Sequence, residues 1–264
     1  YVFLTLGQNS GYYCSPNRTY DTFTGHKPGE RCSIRDLPGD LADALSPYGI
    51  RLLLYLPSRA PQRDKAAMQK LGDVHERSPA PQDFTRRWSN VIREWSLRYN
   101  DKISGWWFDG AYNTEGWDDV TSKYNWNTWA AACRAGNSKS ILAFNPGAEM
   151  SIAFTSLTSQ QDYTAGETNE WTATPKTNPA AENLHWHVLS YMGSYWGRCD
   201  EPRMSNDDMF DYIKTVNEQG GIVSIDVGIN KENGTICAPH LEQLLAIKAG
   251  LQSEKLDKTD ETSP

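Results

Sequence analysis

A chain of 264 residues suits one large α/β domain and is long enough to bury a substantial core. Its net charge of -7 and pI near 5.3 argue against nucleic acid or an anionic membrane surface as partner. No run approaches the ~20 apolar residues of a membrane span, so no membrane partner is expected.

The chain opens inside an apolar stretch, residues 1–6, which reads as a strand with no leader before it. A loop rich in Gly, Asn, Ser, Pro and Tyr is expected over residues 7–35, with Gln8, Asn9 and Ser10 at the end of the strand. A helix follows Asp36, with Pro38 in its first turn and Leu37, Leu41, Ala44, Leu45 and Tyr48 on one face. Residues 50–56 predict a buried strand, and a short helix is expected over 65–71. Phe84, Trp88, Val91, Ile92, Trp95 and Tyr99 recur at helical spacing and are read as core. Residues 103–108 form a β-branched and aromatic run that stops at Asp109-Gly110. Further strands are expected over 141–144, ending at Asn145, over 184–192 and over 222–227. Helices are expected near 122–135, after Ser205 and from about Pro239. The segment 147–183 reads as irregular, and the charged tail 253–264 as disordered.

Strand and helix thus alternate about six times, which predicts a parallel α/β fold, a (β/α)8-type (TIM-like) barrel. About six strands are present, and the first two of a barrel are expected to lie upstream, so residues 1–252 read as one truncated barrel domain.

Five cysteines are present, none with zinc spacing, so no metal and no cofactor are expected. Cys14 and Cys32 flank a polar loop and are the first expected disulfide, Cys199 with Cys237 the second, leaving Cys133 free. Sequons at Asn17 and Asn233 mark possible N-glycans. Together these features predict a secreted protein.

No nucleophile elbow, Walker loop or dinucleotide fingerprint occurs. Instead, carboxylates fall near strand ends: Asp109, Asp162 or Glu167, and Asp226. Glycoside hydrolysis needs two such groups, one ionised and one acting as acid. Ten tryptophans and thirteen tyrosines fit carbohydrate contact as well as core packing. Trp106, Trp107 and Trp196 are candidate stacking surfaces, and Gln8, Asn9 and Asn145 candidate polar contacts. His185 and His187 alternate with Trp186, which leaves open whether they face a ligand or the core.

Several segments, in order, resemble the family 29 glycoside hydrolases, the retaining α-L-fucosidases. They are Arg35-Asp36-Leu37, Tyr48-Gly49-Ile50 with Leu54-Tyr55, Trp107-Phe108-Asp109-Gly110, Asp162 through Glu167, Tyr195-Trp196-Gly197, and Gly220 through Ile229 with Gly234-Thr235-Ile236. The resemblance implies Asp109 as nucleophile and Glu167 as acid/base, with Asp226 in reserve. It implies a substrate that is an α-fucoside or related glycoside. A non-catalytic carbohydrate-binding domain is the alternative.

Overall fold

A computed structural model describes residues 1–73, 79–171 and 184–260, the last seven by backbone alone. The chain forms two compact units, Tyr1–Gly147 with Thr155–Ala165, and Ala148–Phe154 with Gly166–Pro264.

The first unit is built on a parallel sheet of β1 (Val2–Thr5), β2 (Leu52–Pro57), β3 (Ile103–Asp109) and β4 (Ile141–Phe144), side by side in chain order. Near-continuous apolar runs form these strands because both faces of the sheet are covered. Side chains alternate between the faces. Leu52, Leu54, Leu56, Trp106, Phe108, Leu142 and Phe144 join the main core. On the opposite face stand Leu53, Tyr55 and Pro57 of β2, then Gly105, Trp107 and Asp109 of β3. The register pairs Tyr55 with Trp107 and Pro57 with Asp109. Glycine is required at 105, where a Cβ would lie 2.5 Å from the Ile141 carbonyl oxygen of the neighbouring strand.

The helices of this unit are α1 (Arg18–Thr24), α2 (Leu37–Leu45), α3 (Lys65–Leu71), α4 (Gln82–Tyr99), α5 (Glu115–Asp118) and α6 (Trp126–Cys133). In α4 the predicted stripe, from Phe84 through Trp88, Val91, Ile92 and Trp95 to Tyr99, is buried. A side chain the size of Phe84, fully buried, contributes about 1.5–3 kcal/mol. Immediately after β2, Arg59 and Asp73 form a bidentate ion pair at 2.6 and 2.7 Å, with both side chains almost fully enclosed.

Two expectations fail in the segment 7–35, and both failures have local causes. It is not one loop: Asn17 starts α1 by accepting from the Tyr20 N–H at 2.7 Å, and Gly25 ends it in the left-handed conformation. Asn17 also donates to the Val91 carbonyl at 2.9 Å and is 1% exposed, so it is a buried helix cap. Asn233 is exposed. The expected Cys14–Cys32 disulfide is absent, and both thiols are free. Tyr13, not Cys14, pairs with Cys32, so alternation turns Cys14 the other way, towards the Thr5 carbonyl. Burial pushes the Cys14 thiol up to about 11 and Cys32 further in the same direction. Both are therefore protonated, inert thiols at neutral pH.

The second unit holds β5 (His187–Tyr191) and β6 (Ile222–Asp226), a parallel pair, with α7 (Asn206–Glu218) and α8 (Ala238–Asp260). Ser205 caps α7 by accepting from the Asp208 N–H at 3.1 Å. Trp186, Val188, Tyr212 and Val216 pack together, which directs His187, Leu189 and Tyr191 to the other face of the pair. Cys199 and Cys237 form the expected disulfide, with Cα atoms 5.6 Å apart. The backbone of α8 is helical past Ser253, where composition alone predicts a disordered tail.

Candidate active site

Asp109 is the last residue of β3, and Gly110 turns the chain away at a φ of 70°. Its carboxylate, half-buried, takes two side-chain donors. Tyr55, from β2, donates its hydroxyl to Oδ2 at 2.6 Å, and Asn145, just past β4, donates Nδ2 to Oδ1 at 3.0 Å. Gln8, just past β1, donates to the Tyr55 hydroxyl at 2.9 Å. The carboxyl ends of all four parallel strands are thus joined by one row of hydrogen bonds, Gln8 to Tyr55 to Asp109 to Asn145. This edge of a parallel sheet is where ligands bind in α/β folds.

Backbone contacts hold the row in place. The Asn145 N–H donates to the Phe108 carbonyl at 2.8 Å, and the Ser58 N–H donates to the Asp109 carbonyl at 2.6 Å. Ser58 precedes Arg59, whose guanidinium is paired with Asp73. The Tyr55 ring stacks on Trp107 with centroids 5.3 Å apart, and the Trp107 indole N–H donates to the Ala165 carbonyl at 3.0 Å. Tyr112, 69% exposed, lies beside Gly110.

The candidates from the sequence divide clearly in this unit. Gln8, Asp109 and Asn145 come together. Asn9 sits on the same turn as Gln8, its carbonyl accepting from the Arg63 N–H at 2.8 Å. Trp106 and Trp107 do not offer stacking faces. Trp106 is fully buried, stacked on Phe108, with its indole N–H on the Cys133 carbonyl at 3.2 Å, and Trp107 lies beneath Tyr55. Asp162 is held by Arg134 at 2.7 Å and by the Leu142 N–H at 2.8 Å, so it is a structural anion. Tyr55 and Tyr112 were not among the candidates. The signal for Tyr55 was its place as the single hydroxyl-bearing side chain in the run Leu-Leu-Leu-Tyr-Leu-Pro.

In the second unit, Gly166 comes so close to β5 that a Cβ would collide with the His187 carbonyl. That approach pairs Glu167 with Leu189 and extends the strand pair by one short bridge. Leu189 is in register with Ser224, and Tyr191 with Asp226, so Glu167 and Asp226 share one face of this pair. Asp226 Oδ2 accepts from the Gly197 N–H at 2.6 Å. Burial pushes its carboxyl above the ordinary range, and the Gly197 N–H and the nearby His240 oppose that shift. His187 is buried, with Nε2 2.7 Å from the Ser224 hydroxyl, whereas His185 is exposed before the strand begins. Trp196 is half-buried and packs edge-on to Tyr191 at 5.0 Å.

Among the described residues, no cluster of His, Cys, Asp or Glu has the geometry of a metal site, and no helix is long and apolar enough to cross a membrane.

No family model and no curated protein matches the sequence. Solved structures do match. The endo-fucoidan hydrolase MfFcnA9 of glycoside hydrolase family 107 superposes with a TM-score of 0.68 at 18% identity, over 93% of this chain and 55% of that one. MfFcnA4, from the same family, gives 0.67 at 17% identity, over 93% and 46%. The α-L-fucosidase AlfC from Lactobacillus casei, in complex with its α-L-fucose product, gives 0.63 at 18% identity, over 97% and 76%. The chain spans about half the length of the two fucoidan hydrolases. It has the α/β fold of these glycoside hydrolases.

Proposed function

We propose that the protein is a retaining glycoside hydrolase acting on an α-fucoside or a related glycoside, with Asp109 as its nucleophile. The observation that carries this reading is the Asp109 carboxylate at the carboxyl edge of the sheet, held by Tyr55 and Asn145 on its two oxygens. A nucleophilic carboxylate has to be ionised and aimed, and two donors from neighbouring strands aim it. The sequential strand order of the first unit is that of a (β/α)8 barrel, in contrast to a doubly wound sheet, whose order reverses. Gln8, Asn9 and Trp196 are proposed substrate contacts, with Asn145 acting through Asp109. A secreted setting is proposed from the Cys199–Cys237 disulfide.

In the proposed reaction Asp109 attacks the anomeric carbon while a carboxylic acid protonates the leaving oxygen. The same group then takes a proton from water as the glycosyl–Asp109 bond breaks. Glu167 is the proposed acid/base, and Asp226 is its rival because its raised carboxyl suits a general acid.

The test is turnover of 4-nitrophenyl α-L-fucopyranoside and other aryl glycosides by the wild type and by Asp109→Ala. The variant is expected to be folded and inactive, and azide is expected to restore activity with a β-glycosyl azide as product. Full activity in Asp109→Ala would sink the assignment. Of Glu167→Gln and Asp226→Asn, the acid/base variant is the one that loses alkyl glycosides while still forming the glycosyl-enzyme from the nitrophenyl substrate.

A further inference from the structure

Beside the hydrogen-bonded row, the first unit presents an aromatic ring that is both exposed and fixed. Tyr12 is 56% exposed. An exposed tyrosine ordinarily turns freely about χ1, but this one is held through Arg31 and Asp64. The Arg31 guanidinium lies 4.6 Å from its ring centroid and donates to its hydroxyl. Arg31 is itself paired at 3.1 Å with Asp64, whose side chain is 9% exposed. Asp64 is in turn the cap of α3, accepting from the Ala67 N–H at 3.0 Å. The backbone is fixed as well: Tyr13 pairs with Gly7 on one side and Cys32 on the other, and the Gly11 N–H closes a turn onto the Gln8 carbonyl at 3.1 Å. A Cβ on Gly11, whose φ is 79°, would lie 2.8 Å from Pro61, so this turn is seated on the loop after β2.

The guanidinium sits at the hydroxyl end of the ring, and more than half of Tyr12 stays exposed. A rigid open aromatic face loses little entropy when an apolar, C–H-rich surface settles on it. The turn that carries Tyr12 also carries Gln8, which is one hydrogen bond from Tyr55 and two from the Asp109 carboxylate.

We propose that Tyr12, held at its hydroxyl by Arg31, is a stacking platform for a second sugar ring of the substrate, adjacent to the sugar attacked by Asp109. The inference rests on the glycosidase reading for the identity of its occupant, and it assigns the site a preference for oligosaccharides over single-sugar glycosides.

Binding and turnover measured separately test it. By calorimetry, with Asp109→Ala introduced into every protein so that the ligand is not hydrolysed, an α-L-fucosyl tetrasaccharide is expected to bind the protein that is wild type at position 12 more tightly than L-fucose. Tyr12→Ala is expected to weaken the tetrasaccharide about tenfold and leave L-fucose unchanged, the size of one lost ring contact. Tyr12→Phe keeps the ring and is expected to stay within about threefold of wild type. Turnover of 4-nitrophenyl α-L-fucopyranoside by the wild type tests the glycosidase reading separately. A protein with no turnover that still shows the tetrasaccharide loss in Tyr12→Ala keeps the platform and loses the glycosidase reading. Equal binding of tetrasaccharide and monosaccharide by the wild type overturns the platform, as does a Tyr12→Ala variant that binds both ligands as the wild type does. Equal weakening of both ligands also overturns it, because the ring would then act on the whole site.

Discussion

Tyr55→Phe isolates what the hydrogen-bonded row contributes. The substitution keeps the ring, and with it the stack on Trp107 at 5.3 Å and 18°, and removes one oxygen. That oxygen donates to Asp109 at 2.6 Å and accepts from Gln8 at 2.9 Å. A hydrogen bond to a charged group contributes about 1.5–3 kcal/mol and a neutral one about 1. Tyr55 is half-buried and Gln8 exposed, so water replaces part of both bonds, and the expected loss of stability is only about 0.5–1.5 kcal/mol. Activity should suffer more. With one donor gone, Asn145 is the side-chain donor that remains on the carboxylate among the described residues, and misplacement of about 1 Å costs on the order of a hundredfold in rate. A fall in kcat of about 10- to 100-fold is therefore expected, with KM nearly unchanged, since Tyr55 supports the nucleophile and not the bound sugar. Steady-state kinetics on an aryl fucoside and a urea melt of the same preparation measure both quantities. A kcat within twofold of wild type would refute the claim that the row aims Asp109. So would a stability loss above 3 kcal/mol, which would make the hydroxyl a structural group.

Two further variants address the frame around the site. Arg59→Met should destabilise the fold by about 3–5 kcal/mol in a urea melt, because it removes both bonds of a buried bidentate pair from the Asp73 carboxylate. Pairing it with Asp73→Leu should recover much of that loss; a double variant no better than the single one would show that the two residues act independently. The prediction for Asp226→Asn concerns pH. Because burial raises the folded carboxyl above its unfolded value, the stability it contributes is fully present below the unfolded value of about 4 and is lost as pH rises through the folded one. The amide variant does not ionise, so its Tm should gain on that of the wild type as pH climbs from 4 to 7. Parallel Tm curves for the two proteins would contradict the raised carboxyl.

How much of this was legible in the sequence depended on how local the deciding interaction was. Strands such as residues 141–144 and helices such as 65–71 were readable because their boundaries are set within a few residues. Asp64 caps α3 through the Ala67 N–H, Gly72 ends it in the left-handed conformation, and nothing distant is needed. The Cys14–Cys32 expectation failed on a one-residue matter of pairing, since the bridge is made by Tyr13. Two cysteines flanking a loop carry no information about which way each turns. The capping role of Asn17 was hidden for a related reason. The side-chain oxygen that marks an Asn for turns is the same one that caps a helix, and only the packing of α1 on Val91 shows that the amide is enclosed.

The tryptophans show where the limit lies at the site itself. Trp106 and Trp107 stand next to the acid in sequence, so they looked like its ligand-stacking partners. In a sheet covered on both faces, consecutive residues are directed to opposite sides and both can be lost to packing. That is the outcome here, with each indole N–H bound to a backbone carbonyl, of Cys133 and of Ala165. The residue that reaches Asp109 comes from the next strand, through a register in which Tyr55 lies opposite Trp107 and Pro57 opposite Asp109. Tyr55 therefore points from one position behind the acid on its face, and a phenol is long enough to span that step where a serine would not be. The same rule of alternation that removes the tryptophans thus brings in the tyrosine. It needs the register between β2 and β3 as input, and a shift of one residue there would turn Tyr55 into the core and leave Asp109 with one donor fewer.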